Sequence, residues 1–417
     1  MANTSPAPKI LIGISGGIAA YKVCEVVSTL AKGGAAVRVI LTSSAEAFVS
    51  ALTFATLARH AAYTDGSFWA AEQSRPLHIE LAEWADYFLI APLTANTLGK
   101  LTHGLADNLL TNTVLASTCP ILLAPAMNTD MWLQASVQRN WQQILADARY
   151  HAVGPAAGRL ACDRIGTGRM AEPQTILNAI ESFQHTQGRR DLKGKRLLIS
   201  TGSTQEYIDA VRYIGNPSTG RMGVALATAA VHRGAQVSLV HGPMDSSLRQ
   251  TIPDTVQTTA VVSAAEMETS LMAQLDIADW IIMSAAVADM RPQQQTTGKL
   301  PKSELPNPLP LAPVTDIAAK LSISKRTDQI VVGFAAQTGN MIEPALGKLR
   351  HKGLDAIVAN PVDQPESGFG CDRNRGIFLD SQGQQSALPS NTKLTMAHHI
   401  YDLLKSLSQA APVSSLA

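Results

Sequence analysis

The N-terminal half of the chain alternates apolar runs with segments of helical pattern. The apolar runs are Lys9–Ile14, Val37–Leu41, Tyr87–Ala91 and Ile121–Ala124. One helical pattern extends from Gly17 to about Lys32, and further helical segments lie around Leu98–Ser117. Continuous apolar strands joined by helices are typical of a parallel sheet covered on both faces. We therefore predict a doubly wound α/β domain.

A second series of the same kind follows a polar, basic stretch at residues 184–195 and begins with the apolar strand Leu197–Ser200. We place the domain boundary at about Gly188, which predicts domains 1–188 and 189–417. Two pairs of segments resemble each other, namely Lys32–Val37 with Arg233–Val237 and Ala85–Ile90 with Ala278–Met283. In both halves a helix that ends at glycine leads into a buried strand. The prediction is an α/β chain of two doubly wound, Rossmann- or flavodoxin-like domains.

One connecting segment is too long for a routine loop. Residues 290–314 are rich in Pro, Gln and Thr and include Lys299 and Lys302. A segment of this length without a regular pattern is either a lid or a disordered insert.

Composition narrows the functional classes. The 417 residues carry 34 Lys+Arg and 33 Asp+Glu, a net charge of +1, so the whole chain has no electrostatic preference for nucleic acid or an anionic membrane. With 46% hydrophobic but only 5% aromatic and 16% charged residues, aliphatic side chains form the cores, and apolar surface is expected between subunits of a homo-oligomer. The apolar runs are shorter than the roughly 18 residues of a membrane span. Four widely spaced cysteines suit a reducing cytoplasm.

The first candidate ligand site follows the first strand. Gly16 and Gly17 separate this strand from the first helix, where backbone N–H groups can bind phosphate. The pattern is not G-x-G-x-x-G, and the second strand ends at Leu41–Ser44 without the acidic residue that a NAD site needs. These residues favour FMN over NAD, and the alternative is a tight structural turn.

Three further segments of this half carry candidate chemistry. His78 lies beside an apolar run, Asn128 ends the segment Pro125–Asn128 after a buried strand, and Cys162 lies between arginines in a Gly-rich loop. Arginines near a thiol raise its thiolate fraction. The structural alternatives are a satisfied histidine, an Asx turn and a surface loop.

Taken in order, these motifs resemble the flavoprotein cysteine decarboxylases. The match is best with the bacterial bifunctional enzymes that join phosphopantothenoylcysteine decarboxylase to phosphopantothenate–cysteine ligase. The resemblance implies that His78 is a base or orienting group, that Asn128 holds the substrate carboxylate, and that Cys162 is the proton donor. It also implies FMN contacts at Gly16, Gly17, Ile18, Ser43, Thr94, Asn96, Thr97, Asp107 and Asn108.

The second half contains two more candidate phosphate cradles, Thr201–Thr204 and Asn216–Gly223, and neither is a Walker A sequence. The resemblance implies a ligase that uses CTP with Mg²⁺ to activate 4′-phosphopantothenate before L-cysteine attacks. It assigns the acyl-nucleotide step to Asn216 and contacts with the phosphates to Lys299. The implied nucleotide site consists of Met283, Ser284, Ala285, Asp289, Lys299, Val314, Thr315, Asp316, Ile317, Phe334, Lys348 and Lys352, and the metal ligands stay unknown.

This chain departs from the family pattern at five positions of the ligase half, which are Ser203, Gln205, Val314, Thr315 and Gln337. These departures leave nucleotide preference open. The alternatives are an active decarboxylase with an impaired ligase half, a non-catalytic regulatory protein of the flavin fold, and an NAD(P)-dependent oxidoreductase. The resemblance further implies a trimeric decarboxylase and dimeric ligase contacts, in a homo-oligomer as large as a dodecamer.

Overall fold

The computed structural model describes residues 7–70, 75–159, 163–364, 368 and 370–410. The chain forms two compact units, Met1–Ile180 and Glu181–Ala417. The division falls within the helix Pro173–Thr186, upstream of the predicted boundary. That boundary, at about Gly188, stays a prediction.

The N-terminal unit is built on one parallel sheet. Its elements are β1 (Lys9–Ile14), α1 (Ala20–Lys32), β2 (Ala36–Leu41), α2 (Ser43–Glu46), α3 (Ala51–Ala58), β3 (Ala62–Tyr63), α4 (Asp65–Phe68), α5 (Leu77–Trp84), β4 (Tyr87–Leu93), α6 (Ala95–Thr102), α7 (Leu109–Ala116), β5 (Ile121–Pro125), α8 (Thr129–Leu133), α9 (Ala135–Leu145), β6 (Tyr150–Ala152), β7 (Ala156–Arg159), β8 (Ile165–Arg169) and α10 (Pro173–Thr186). The six strands of the sheet lie in the order β3-β2-β1-β4-β5-β6, and β7 pairs with β8 as a separate hairpin.

The predicted strands of this unit are confirmed, and they are buried because helices cover both faces of the sheet. Ile10, Leu11 and Ile12 of β1 have no exposed surface, and Phe88 of β4 has none either. The helical segments predicted around residues 98–117 are confirmed as two helices. They are separate because the chain turns after α6 and Asn108 caps the start of α7.

The C-terminal unit contains an eight-stranded sheet. Its elements are β9 (Arg196–Thr201), β10 (Gln205–Tyr207), β11 (Tyr213–Gly215), α11 (Arg221–His232), β12 (Gln236–His241), α12 (Ser246–Arg249), β13 (Gln257–Ala260), α13 (Ala264–Met272), β14 (Trp280–Met283), β15 (Met290–Pro292), β16 (Leu311–Pro313), α14 (Ile317–Ser324), β17 (Ile330–Gln337), α15 (Ile342–Lys352), β18 (Ala356–Pro361), β19 (Arg373–Asp380), β20 (Gln385–Thr392) and α16 (Lys393–Ala410). The order is β13-β12-β9-β14-β17-β18-β19-β20. Strands β19 and β20 are antiparallel additions at one edge.

The two units share a strand order around their first strands. In each sheet the first strand is followed by two strands on one side of it, β2 and β3 in one sheet and β12 and β13 in the other. The chain then crosses over, and the next strand, β4 or β14, pairs with the other side of the first strand. The segment pairs noticed in the sequence occupy equivalent places in the two sheets. Gly34 and Gly234 end the corresponding helices at φ +90° and +89°, a conformation that favours glycine. The prediction of two doubly wound α/β domains is confirmed.

The long segment at residues 290–314 is an ordered arm, so the alternative of a disordered insert was wrong, whereas its action as a lid stays a prediction. Met290 pairs with Pro313 and Pro292 with Leu311, so β15 and β16 close its base. Farther out, the N–H of Leu300 donates to Asp209 at 3.2 Å, and Arg212 donates to the carbonyl of Leu300 at 2.8 Å. In the part of the chain that the structure describes, no helix is long and apolar enough to cross a membrane.

Candidate functional site

In the N-terminal unit the predicted flavin residues lie where β1, β2 and β4 end. These carboxyl ends meet at one edge of a parallel sheet, beside the point where the strand order reverses, and ligands of open α/β sheets bind there. Ser15 holds two of the ends together. Its hydroxyl donates to the carbonyl of Pro92 at 2.5 Å and accepts from the N–H of Thr94 at 3.0 Å. The loop after β1 is therefore fixed to the end of β4.

Close packing explains the two glycines of this loop. A Cβ atom at Gly16 would lie 2.3 Å from the Cβ of Ser44, so a larger residue would push the β1 and β2 loops apart. At Gly17 the nearest atom to such a Cβ is the Cγ2 of Thr94, at 3.7 Å. The backbone at Gly17 is thus open enough for a ligand to approach, three residues before the start of α1.

Asp65 of α4 organises the end of β2. Its Oδ2 accepts from the N–H of Ser43 at 3.0 Å and from the hydroxyl of Ser43 at 2.6 Å, and its Oδ1 accepts from the N–H of Leu109 at 3.1 Å. An acidic side chain, that of Asp65, therefore lies at the end of β2, although no acidic residue follows β2 directly in the sequence. Because the Ser43 hydroxyl donates to Asp65, it can offer a ligand only its lone pairs.

The other predicted flavin residues stand at helix starts. Thr94 caps α6 and accepts from the N–H of Thr97, while Asn108 caps α7 and accepts from the N–H of Thr111 at 2.9 Å. Asn96 lies exposed in the first turn of α6. Lys100 lies 2.6 Å from Asp107, and its hydrogen bond lowers the pKa of that carboxyl group. These contacts order the two segments around the edge of the sheet.

His78 lies in the first turn of α5. A helix that leads into a parallel strand begins at the carboxyl edge, so His78 is at the same edge as the β1 and β2 loops. Its Nδ1 is buried and has no hydrogen-bond partner among the described residues, and its ring meets Phe68 edge-on at 5.5 Å. A buried ring nitrogen without a partner does not fit the alternative of a satisfied structural histidine.

Asn128 follows β5 and caps α8, where its side chain accepts from the N–H of Asp130 at 2.8 Å. The β7–β8 hairpin packs directly on this segment. The N–H of Met127 donates to the carbonyl of Gly168 at 2.8 Å, and a Cβ on Gly168 would lie 2.5 Å from the Met127 carbonyl oxygen. Only glycine allows this close contact, which fixes the hairpin beside Asn128.

Cys162, the predicted proton donor, lies outside the described residues. The arginines expected to activate its thiol both carry carboxylate partners. Arg159 lies 2.9 Å from Asp163, and Arg164 forms an ion pair with Asp130. Their charge is therefore shared with these carboxylates, which weakens the argument for a raised thiolate fraction.

In the C-terminal unit, hydroxyl side chains join the carboxyl ends of β9 and β14. The hydroxyl of Ser284 donates to the carbonyl of Ser200 at 2.6 Å, and Thr201 donates to the carbonyl of Gly220 at 2.8 Å. Gly220 has φ +83°, and a Cβ on Gly223 would overlap Thr201 at 2.2 Å. The N-terminus of α11 is thereby held against the end of β9, an arrangement suited to binding phosphate.

A cavity of about 530 Å³ opens at this edge, a volume within the ordinary range of ligand pockets. It brings together nearly all the predicted nucleotide residues, including Asn216, whose side-chain amide donates to the carbonyl of Val287 at 3.1 Å. The predicted residues that line it are Asn216, Met283, Ser284, Ala285, Asp289, Val314, Thr315, Asp316, Ile317, Phe334, Lys348 and Lys352.

Lys299 is the exception, because the described lining of the cavity does not include it. Its neighbour Leu300 is held by Asp209 and Arg212, and this fixes the backbone of the arm. Gln205 and Gln337, two of the departures from the family pattern, are also absent from the described lining, whereas Val314 and Thr315 belong to it.

Two cationic residues of the cavity were missed by sequence reasoning. Arg221 begins α11 inside the predicted cradle Asn216–Gly223, so its role as a cation could have been inferred from that motif. Lys393 begins α16 and donates to the carbonyls of Cys371 at 2.5 Å and Arg373 at 3.2 Å, while burial lowers its pKa. The local sequence around Lys393 gives no signal of this role, because the packing of distant strands creates it.

Comparison with known proteins finds one family for each half of the chain. The Flavoprotein family matches residues 2–185, and the family described as DNA/pantothenate metabolism flavoprotein C-terminal domain matches residues 192–407. A cysteine/cysteine sulfinic acid decarboxylase from an unknown prokaryotic organism is 40% identical over 355 residues, which cover 84% of this chain and 97% of that protein.

The relatives that match over almost the whole chain include two bacterial proteins. The Coenzyme A biosynthesis bifunctional protein CoaBC of Bacillus subtilis is 41% identical over 400 residues, 96% of this chain and 97% of that protein. The protein of the same name from Vibrio parahaemolyticus is 39% identical over 407 residues, 97% of this chain and 100% of that protein. The resemblance found in the motifs is confirmed: the chain belongs to the family of bifunctional coenzyme A biosynthesis enzymes, in which a flavoprotein domain with decarboxylase activity precedes a ligase domain.

Proposed function

We propose that this chain catalyses two consecutive steps, a ligation and a decarboxylation. The C-terminal unit joins 4′-phosphopantothenate to L-cysteine at the expense of CTP. The N-terminal unit then decarboxylates phosphopantothenoylcysteine to 4′-phosphopantetheine with the help of FMN. The observation that carries the proposal is the match to bifunctional relatives along nearly the full chain, together with one candidate ligand edge in each unit.

The ligase cavity has the charges that the first step requires. Activation joins a carboxylate to the α-phosphate of CTP and releases pyrophosphate, so two anions must approach each other. Lys348, Lys352 and Arg221 place cationic groups on the wall of the cavity, and the N-terminus of α11 adds backbone donors. Mg²⁺ bound to the nucleotide would neutralise further charge. Asn216 orients the acyl cytidylate, and the amine of cysteine then displaces CMP.

The N-terminal edge suits a flavin mononucleotide. Backbone at Gly17 and the start of α1 can hold the phosphate, and the apolar side chains of Ile18 and Tyr21 are 57% and 58% exposed beside it. Bound FMN would supply the two-electron oxidant for the cysteinyl thiol, which lets the neighbouring carboxylate leave as CO₂, and the hydride that is returned afterwards. His78 takes or orients a proton in the oxidative half, Asn128 holds the carboxylate through its amide, and Cys162 protonates the resulting enethiolate.

A homo-oligomer in the cytoplasm is part of this proposal. Large apolar side chains of the N-terminal unit stand exposed, among them Leu52 at 75% and Trp69 at 81%. Contacts between copies of the chain would bury such side chains wherever they form a contiguous patch. We expect trimeric contacts between decarboxylase units and dimeric contacts between ligase units, which light scattering of the purified protein would measure.

The test is incubation of the purified chain with 4′-phosphopantothenate, L-cysteine, CTP and Mg²⁺, followed by mass analysis. Formation of 4′-phosphopantetheine is the expected result. Accumulation of the cysteine adduct would contradict the decarboxylase assignment, and unchanged 4′-phosphopantothenate would contradict the ligase assignment. The variant Cys162→Ser should bind FMN and stall before the product, and full activity of this variant would remove Cys162 from the mechanism.

A further inference from the structure

Four of the ten histidines of the chain gather in the C-terminal unit, which begins at Glu181 and therefore includes the last residues of α10; none of the four lines the ligase cavity. The ring of His185 stacks on His398 at 5.0 Å and meets His399 edge-on at 4.8 Å. Both His232 and His398 contact the hydroxyl of Ser182, at 2.7 and 2.9 Å. The proposed ligation and decarboxylation use none of these side chains, so the cluster needs an explanation of its own.

Three side chains of this region converge on one point. His185, His399 and Asp402 each offer one ligand atom, and all three atoms lie within 4.8 Å of one another. His399 and Asp402 are three positions apart on α16 and therefore share a face of that helix. His185, near the end of α10, lies opposite them, with its Nε2 atom 2.7 Å from Oδ2 of Asp402.

We propose that His185, His399 and Asp402 form a binding site for a divalent transition-metal ion of the Zn²⁺ or Co²⁺ class. Two imidazoles and one carboxylate are the ligands that such ions prefer, whereas Mg²⁺ and Ca²⁺ prefer oxygen alone. Three protein ligands leave a fourth position for water. A cavity of about 240 Å³, lined in part by His185 and Asp402, gives water access to that position.

The distances need only small side-chain adjustments. Ligand atoms around a tetrahedral Zn²⁺ ion stand ~3.4 Å apart, given metal–ligand bonds of about 2.1 Å. The distance between Nε2 of His185 and Oδ2 of Asp402 would increase slightly from its present 2.7 Å, and the ring of His399 would rotate toward these two atoms. Both histidines are only partly buried, and the side chain of Asp402 is 47% exposed, so these rotations meet little resistance.

The surrounding charges leave Asp402 available as a ligand. Arg233 lies 2.8 Å from Oδ1 of Asp402 and 2.6 Å from Asp191, which also pairs with Lys405. Asp191 thus shares the positive charge of Arg233 and Lys405. Only Oδ2 of Asp402 faces His185, and a metal ion would take the place of the proton between these two atoms.

Binding is tested on the full-length chain at pH 7.5 after treatment with a chelator and its removal. Equilibrium dialysis against Zn²⁺ should give one ion per chain, and titration with Co²⁺ should give the visible absorption of a low-coordinate site. The variants His185→Gln and His399→Gln should each weaken affinity at least tenfold. His60→Gln, which changes an exposed histidine of the N-terminal unit, is the matched control and should bind like the unmodified chain.

The proposal does not depend on either enzymatic activity, because its readouts are stoichiometry, spectrum and melting temperature. Zn²⁺ should raise the melting temperature of the unmodified chain but not that of His399→Gln. Circular dichroism establishes that each variant folds, and either of the two variants suffices for the test. The assignment would be overturned by substoichiometric binding or by unchanged affinity in a folded variant. It would also be overturned by a sulfur-to-cobalt absorption band that survives His399→Gln, because such a band would show that a cysteine binds the metal.

Discussion

Lys352 lies 3.0 Å from Asp316, and this ion pair joins α15 to the start of α14 on the wall of the ligase cavity. The other oxygen of Asp316 accepts from the N–H of Ala319 at 3.1 Å and caps α14. One carboxylate therefore fixes a helix start and positions a cation. Sequence reasoning assigned both residues to nucleotide binding but did not pair them.

The variant Lys352→Met should raise the KM for CTP by about tenfold, the loss expected when one charge-assisted contact to a phosphate is removed. Steady-state ligase kinetics would measure it. Lys320→Met is the matched control, because Lys320 is on α14 but pairs with Glu268 and is not among the described lining residues. An unchanged KM in Lys352→Met would place this lysine outside the phosphate site.

The variant Asn216→Ala should lower ligase kcat by about a hundredfold, because the loss of one preorganised donor at a reacting group has that order of effect. Decarboxylation of added phosphopantothenoylcysteine by the same protein should be unaffected and serves as an internal control. If both activities fall together, the substitution has disturbed folding instead. If neither falls, the role proposed for Asn216 is wrong.

The contact between Gly168 and the carbonyl oxygen of Met127 predicts a selective loss of decarboxylation. In Gly168→Ala a Cβ atom would overlap that oxygen and push the β7–β8 hairpin away from Asn128. We expect the decarboxylase rate to fall by at least tenfold while ligase activity is kept. Gly34→Ala is the control, since Gly34 also has positive φ but nothing lies within 4 Å of an added Cβ.

His232 makes the stability of the C-terminal unit dependent on pH. Burial, followed by the charge of Arg190, lowers the pKa of His232 from 6.5 to about 4. Because the unfolded chain takes up the proton first, stability is complete above pH 6.5 and is lost as the pH falls toward 4. The loss from this group approaches about 1.4 kcal/mol per pH unit within that window.

Urea unfolding at pH 7, 6 and 5, in the presence of a chelator, would test this dependence. His232→Gln should be less stable than the unmodified chain at pH 7 but should lose less stability on acidification. His60→Gln should leave the dependence unchanged. Equal slopes for His232→Gln and the unmodified chain would show that another group titrates.

The sequence predicted the sheets well because their strands are continuous apolar runs, as in Lys9–Ile14. It also predicted which residues line the cavity of the C-terminal unit, because glycines and hydroxyls follow these strands. It could not predict contacts that bring distant segments together. Asp65 reaches Ser43 and Leu109 from another helix, and Lys393 reaches the cavity from the last helix of the chain. Such contacts depend on tertiary packing, which leaves no local pattern.

The position of Asp209 has a consequence for chain entropy. The segment 290–314 is polar and rich in proline, a composition that favours disorder. By accepting from the N–H of Leu300, Asp209 divides this segment into two shorter loops, and the hydrogen bond offsets part of the conformational entropy that is lost when the span is ordered. The order of the arm is thus encoded some ninety residues before it, in a carboxylate that also binds Arg212.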